Sequence, residues 1–423
     1  MRTLTILLMC LIANVVSAQE FDKYFEDKTL RIDYIFSGDT STQTIALDQL
    51  NQLPRWYGKR NNLAMVPVEG NGSIIVREHS KETIIYKNSF STLFQEWLTT
   101  DEAKTTTKSF ENVFLVPMPK DSVDITVELR NNRREVVTSM THTVNPNDIL
   151  IRHVGYNETT PYQTMLQAAD STRCINIAFV AEGYTNDEMP TFIEDVNKAI
   201  DALFSHEPFK SRKESFNIIA AKSASDESGT SVPRKGIWKH TALESHFDTF
   251  YSARYLTTLH LKKLHDVLAG LPYEHIIVLV NTDVYGGGGI LNSYNLSAAH
   301  HPKTLPVVVH EFGHSFAGLA DEYAYENEPI PMYPADVEPW EHNITTMKDF
   351  HGKWEDMISK KTPVPTPAKD KYSDTIGVFE GAGYSLNGVY RPMMDCRMRT
   401  NENPTFCPVC QQAINNLIDF YVK

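Results

Sequence analysis

The segment His310-Glu311-Phe312-Gly313-His314 carries the strongest chemical signal in the chain. Two histidines four residues apart on a helix present their imidazoles on one face, one turn apart. Two ring nitrogens can then reach one zinc ion at about 2 Å each. Glu311 stands beside the first ligand. It can touch a water on the metal without joining the ligand set, as a general base must. The chemistry implied is attack of an activated water on a carbonyl, with zinc as the one cofactor needed. A catalytic zinc takes three protein ligands and keeps one position open. Asp321 lies eleven residues after His310, about 16 Å along an unbroken helix and too far to share the ion. Gly318 resolves this, because glycine adopts a positive φ, ends a helix and turns the chain back. Asp321 is then the expected third ligand and Glu322 its main rival, with Glu341 a further candidate if the helix does not break. The carboxylate that does not ligate is free to orient an imidazole N–H. The competing interpretation is a pair of helix histidines satisfied by ordinary hydrogen bonds.

The elements around the motif suit that task. Residues 304–320 read as an apolar helix, with Thr304 as its cap, Pro306 in its first turn, and Val308, Phe312 and Phe316 as a buried stripe. Upstream, apolar runs at 174–181, 216–221 and 275–280 alternate with helical patterns at 186–204 and 253–268, which predicts an α/β layer. Glycines 286 to 289 lack the Lys-Ser/Thr of a phosphate-binding loop. They read as an adaptable loop running into an exposed edge strand at 290–293, placed to pair with an extended substrate. Residues 27–150 differ in texture. Thr29–Phe36, Gly72–Arg77, Thr83–Tyr86 and Val123–Leu129 alternate apolar and polar side chains, and short strands at hairpin spacing predict a β-sandwich. The expected organisation is a leader over 1–18, a β-sandwich accessory domain over 19–148 and a mixed α+β and α/β catalytic domain over 149–423.

A chain of 423 residues exceeds one ordinary core. A net charge of −13 argues against nucleic acid and anionic membrane as partners. Arg2, the apolar run Leu4–Val16 and the small residues Val16-Ser17-Ala18 form an export signal, so an exported protein is expected. No other stretch is long enough for a transmembrane anchor. Beyond Cys10, four cysteines are too few for a disulfide scaffold. Cys407-Pro408-Val409-Cys410 is a single CxxC with only Cys396 nearby, so a local disulfide or buried free thiols are expected rather than a zinc knuckle.

The run His310-Glu-Phe-Gly-His-Ser-Phe-Ala-Gly-Leu-Ala-Asp-Glu-Tyr323 resembles the signature of the bacterial zinc peptidases named for an IgA-cleaving member. Glu182-Gly183-Tyr184-Thr185, Ser228-Gly229-Thr230, Arg254-Tyr255-Leu256, Gly287-Gly288-Gly289, Tyr390-Arg391-Pro392 and Phe406-Cys407-Pro408-Val409-Cys410 fit the same family. The resemblance covers about residues 150–423 and implies a metzincin-like secreted zinc endopeptidase acting on protein or peptide, often preceded by a separate N-terminal domain. The metzincin pattern has Gly three residues after the second histidine and His or Asp three further on. Here Ala317 takes that place, and Gly318 and Asp321 each come one residue late. The family also implies a methionine beneath the zinc, Met398 in preference to Met394, and a tyrosine or arginine near that turn to hold the oxyanion, for which Tyr390 is the choice. A zinc amidase or deacetylase acting on cell-wall or glycan amides would use the same motif. Two further alternatives are a binding protein that keeps the metal without activity, and a glycan or protein ligand on the N-terminal domain.

Overall fold

Strict alternation along Val123–Arg130, buried at every second residue, marks a strand with one face in a core and one in solvent. The computed structural model describes residues 21–325 and 332–423, and the leader expected over 1–18 lies outside them. The first eight strands are β1 (Phe25–Gly38), β2 (Gln43–Leu53), β3 (Gly72–Glu78), β4 (Ile84–Phe90), β5 (Lys108–Pro119), β6 (Val123–Arg130), β7 (Val136–Val144) and β8 (Arg152–His153). They form two four-stranded sheets, β5-β1-β2-β8 and β4-β3-β6-β7. Aromatic side chains fill the space between them: Tyr34, Phe36, Phe90 and Phe114 form one cluster, with the Phe90 and Phe114 rings 4.3 Å apart. β8 pairs in parallel with β2, so the chain still runs along the first sheet at His153. A short helix, α1 (Leu93–Trp97), follows β4, capped by the Thr92 side chain.

The second half is built on a six-stranded sheet. Its members are β9 (Tyr162–Leu166), β10 (Ile175–Glu182), β11 (Phe216–Ala221), β12 (His275–Val280), β13 (Gly287–Ile290) and β14 (Tyr294–Ala298), in the order β13-β14-β12-β10-β11-β9. The four inner strands are parallel, and β9 and β13 run antiparallel at the edges. Every residue of β10 and β12 is buried, as expected of parallel strands covered on both faces. The helices are α2 (Met189–Leu203), α3 (Leu261–Val267), α4 (Thr304–Ala317) and α5 (Pro408–Val422), and a hairpin of β15 (Phe379–Ala382) and β16 (Ser385–Arg391) precedes α5.

Period-two alternation splits the sheet between two cores. Ile177, Phe179, Ile277 and Leu279 pack with α2, α4 and α5. Ala178, Val180, Ile276 and Val278 belong to a core continuous with the N-terminal sandwich. The strand-rich N-terminal region is therefore packed onto the six-stranded sheet through a shared apolar layer.

Three local expectations need correction. The helix expected over 253–268 is helical only from Leu261. Before it, Phe250 and Tyr251 take positive φ, and the Thr249 and Thr257 hydroxyls, 2.7 Å apart, stitch the segment into turns. The glycine run is itself the edge strand rather than a loop leading to one: Gly287–Ile290 pairs antiparallel with the start of β14, residues 291–293 make the turn between them, and a Cβ on Gly289 would lie 2.2 Å from the Glu311 carbonyl oxygen. Thr304 opens its helix without capping it. Lys303 is the cap residue, and the Thr304 hydroxyl donates instead to the Ala298 carbonyl at 2.7 Å.

Candidate metal centre

α4 packs its Val308, Phe312 and Phe316 side chains into the core, with the Phe312 and Phe316 rings stacked 5.0 Å apart. That anchoring turns His310 and His314 to the opposite side. Their Nε2 atoms lie 3.0 Å apart. Each Nδ1 faces a backbone carbonyl: His310 the oxygen of Arg397 at 2.9 Å, His314 that of Leu319 at 2.5 Å. A carbonyl only accepts, so each Nδ1 carries the proton and each Nε2 presents a lone pair to its neighbour.

Gly318 ends α4 at φ 59°. Its N–H reaches the His314 carbonyl at 3.0 Å, and the Leu319 N–H reaches the Gly313 carbonyl at 3.1 Å. A Cβ there would also strike Val68 and Trp340 at 2.7 Å, so the position has room only for glycine. The reversal brings Asp321 Oδ1 to 3.0 Å from His310 Nε2 and 3.3 Å from His314 Nε2. Without a metal a proton shared among these three atoms accounts for their closeness, and a cation can take its place. Asn343 holds this strap: it accepts from the Ala320 N–H and donates to the Ala320 carbonyl, both at 2.8 Å. Burial opposes charge on His314, but Asp321 and Glu311 beside it outweigh that and raise its pKa to about 9 without a metal. The same negative surroundings that attract a proton attract a metal ion, and the two compete for Nε2.

Glu311 is half-buried beneath β13: a Cβ on Gly287 would stand 3.5 Å from its Cγ. Burial raises its carboxyl pKa, and the two histidines only partly counter this. Met398 lies fully buried under the helix, its Sδ 2.6 Å from where a Cβ on Gly313 would be. The one glycine inside the motif is therefore the space this methionine needs.

The remaining candidates lie elsewhere. Glu322 follows Asp321 but points the other way, accepting from Asn343 Nδ2 at 3.0 Å and lying 3.2 Å from Cys410 Sγ. Glu341 accepts from the Tyr333 hydroxyl at 2.9 Å. Tyr390, on β16, directs its hydroxyl to Glu380. Cys396, Cys407 and Cys410 are buried and free.

Two residues of this centre escaped the sequence reading. Tyr384 donates its hydroxyl to Asp321 Oδ2 and itself stands at φ 63° after Gly383, also at positive φ. The Gly383-Tyr384 step was its only signal. Glu96, on α1 of the N-terminal region, receives a hydrogen bond from Tyr255, and its charge is felt by His314, Glu311 and Asp321. Burial pushes its pKa up to about 7. No spacing rule connects residue 96 with residue 311.

The family described as IgA Peptidase M64 matches residues 164–374 and 368–418, and the Peptidase M64 N-terminus matches residues 20–141. No curated protein matches the chain. Among the described residues, no helix is long and apolar enough to cross a membrane.

Proposed function

The chain belongs to the IgA peptidase M64 family and is a peptidase, and from that premise we propose that it is an exported zinc endopeptidase, in which His310, His314 and Asp321 hold the ion and Glu311 is the general base. The observation that carries this is the convergence of two imidazole lone pairs and one carboxylate oxygen within 3.3 Å of one another. Nitrogen and oxygen donors in that number suit zinc with one position open.

Zinc, when bound, supplies the Lewis acidity that makes water nucleophilic near neutral pH. Glu311 takes a proton from the attacking water and returns it to the nitrogen of the departing amine. Its burial favours the protonated state and so helps it hold the proton between the two steps. Tyr384, rather than Tyr390, is our choice for the hydroxyl that steadies the developing oxyanion, because its side chain reaches the trio. The outer edge of β13 offers backbone groups to an extended peptide beside α4. Family membership favours peptide bonds over cell-wall or glycan amides, and nothing in the structure points to a glycan ligand. Export rests on the leader expected over 1–18 from the sequence.

The test is cleavage of a diverse peptide library by the purified protein, read by mass spectrometry, with a chelated sample and a Glu311→Ala variant as controls. Cuts should vanish in both controls while the variant keeps its zinc. Cuts that survive chelation would refute the metal reading.

A further inference from the structure

Behind the trio lies a second set of ligand atoms for which peptide hydrolysis has no use. Cys396, Cys407, Cys410 and Glu322 each offer one such atom, all within 4.8 Å of one another, and all four residues are buried. We propose that these four residues bind a structural zinc ion distinct from the one held by the histidines.

Geometry supports this first. Zinc binds sulfur at about 2.3 Å and carboxylate oxygen at about 2.0–2.2 Å, so a tetrahedron has edges of about 3.8 Å between sulfurs and 3.5 Å from sulfur to oxygen. Cys396 Sγ and Cys410 Sγ lie 3.8 Å apart, and Cys410 Sγ lies 3.2 Å from Glu322 Oε1. Four donors without an open position are what a structural site needs, and thiolates select zinc over calcium or magnesium.

Charge supports it independently. Glu322 is 0% exposed, and its Oε2 has no hydrogen-bond partner. A buried carboxylate with an unsatisfied oxygen is costly, and neutral thiols beside it do not relieve the cost. A dication does. The backbone is arranged for anionic sulfur: Cys396 Sγ receives the Cys407 N–H at 3.2 Å and the Met398 N–H at 3.5 Å, and Cys407 Sγ receives the Cys410 N–H at 3.5 Å. Cys407 caps α5 and Cys410 lies in its first turn, where the helix dipole favours negative charge. The Arg391 charge also favours the ionised Glu322, but its guanidinium donates to the Glu380 carbonyl at 2.8 Å, and a disulfide between two of the cysteines would leave the unsatisfied Glu322 Oε2 as it is.

The ion would join three segments: the strap after α4, the turn that carries Met398, and the start of α5. Glu322 is adjacent to Asp321, so fixing one carboxylate fixes the backbone that delivers the other.

The experiment counts metal in the full chain carrying His310→Ala, His314→Ala and Asp321→Ala together. One zinc per chain is expected there and two in the unaltered protein. A metal-free triple variant, or a disulfide among the three cysteines in a peptide map, would overturn the proposal. If the triple variant fails to fold, cobalt substitution of the unaltered chain gives the same answer. A sulfur-to-cobalt charge-transfer band is expected, and its absence would equally refute the site, since the histidine trio contains no sulfur. Neither readout depends on peptide cleavage, so failure of the peptidase mechanism would leave the count unaffected.

Discussion

Two consecutive carboxylates, Asp321 and Glu322, serve two different clusters. Asp321 meets imidazoles that retain some exposure, 12% and 16% for the His310 and His314 side chains. Glu322 meets three cysteines sealed from solvent. The first cluster has three donors and keeps some exposure to solvent; the second has four and is closed. The difference shows how one short strap separates two tasks. An open site can admit water and substrate, while a closed one can only hold the chain together.

The sharpest way to break the comparison is Glu311→Gln. Turnover should fall about 10²–10⁴-fold, the range for a lost general base, with both metals retained. Loss of metal along with activity would make Glu311 a ligand and leave the open cluster without a base.

Cys410→Ser should act on stability. Removing one member of a buried charged group costs about 3–5 kcal/mol, a fall in melting temperature of roughly 3–6 °C for a chain of this length. Scanning calorimetry with a zinc count checks this, and an unchanged melting temperature would remove the structural role from the closed cluster.

Tyr384→Phe deletes a hydrogen bond to a charged group, about 1.5–3 kcal/mol, and should lower kcat about tenfold or more with little change in KM. Tyr390→Phe is the comparison variant, and a larger effect there would return the oxyanion role to β16.

The smallest effect is expected on the substrate side. Gly287→Val would press on Val307, 3.0 Å from the new Cβ, and on the Leu296 carbonyl at 3.1 Å. About 1 kcal/mol of crowding should raise KM roughly fivefold while metal content holds. Unchanged peptide kinetics would remove β13 from substrate binding.

Much of this was legible locally. Val123–Leu129 announced its alternation, and the apolar runs of β10, β11 and β12 announced buried parallel strands. Four-residue spacing set the imidazoles one turn apart, and Gly318 marked where the helix stops. Local rules failed where a contact crossed the fold. The segment before α3 has helical composition, yet its turns are held by Thr249, Thr257 and the contact of Tyr255 with Glu96. The CxxC beginning at Cys407 showed two sulfurs and Cys396 a third. The fourth donor was hidden because it is an ordinary glutamate 74 positions before Cys396.

What the sequence determined alone is what helix and strand periods dictate: an α4 with two histidines and a carboxylate on its exposed side, an early stop, and sheets with a known buried face. Tertiary structure decided where the chain goes after that stop. Asn343 and Met398 hold the returning strap, the Glu322 N–H reaching the Met398 carbonyl at 2.8 Å, and that orientation sends Asp321 to the histidines and Glu322 to the cysteines. The physical reason is range. Periodicity acts over a few residues, whereas a ligand set is chosen by atoms within a few ångströms of each other, however far apart they stand in the chain.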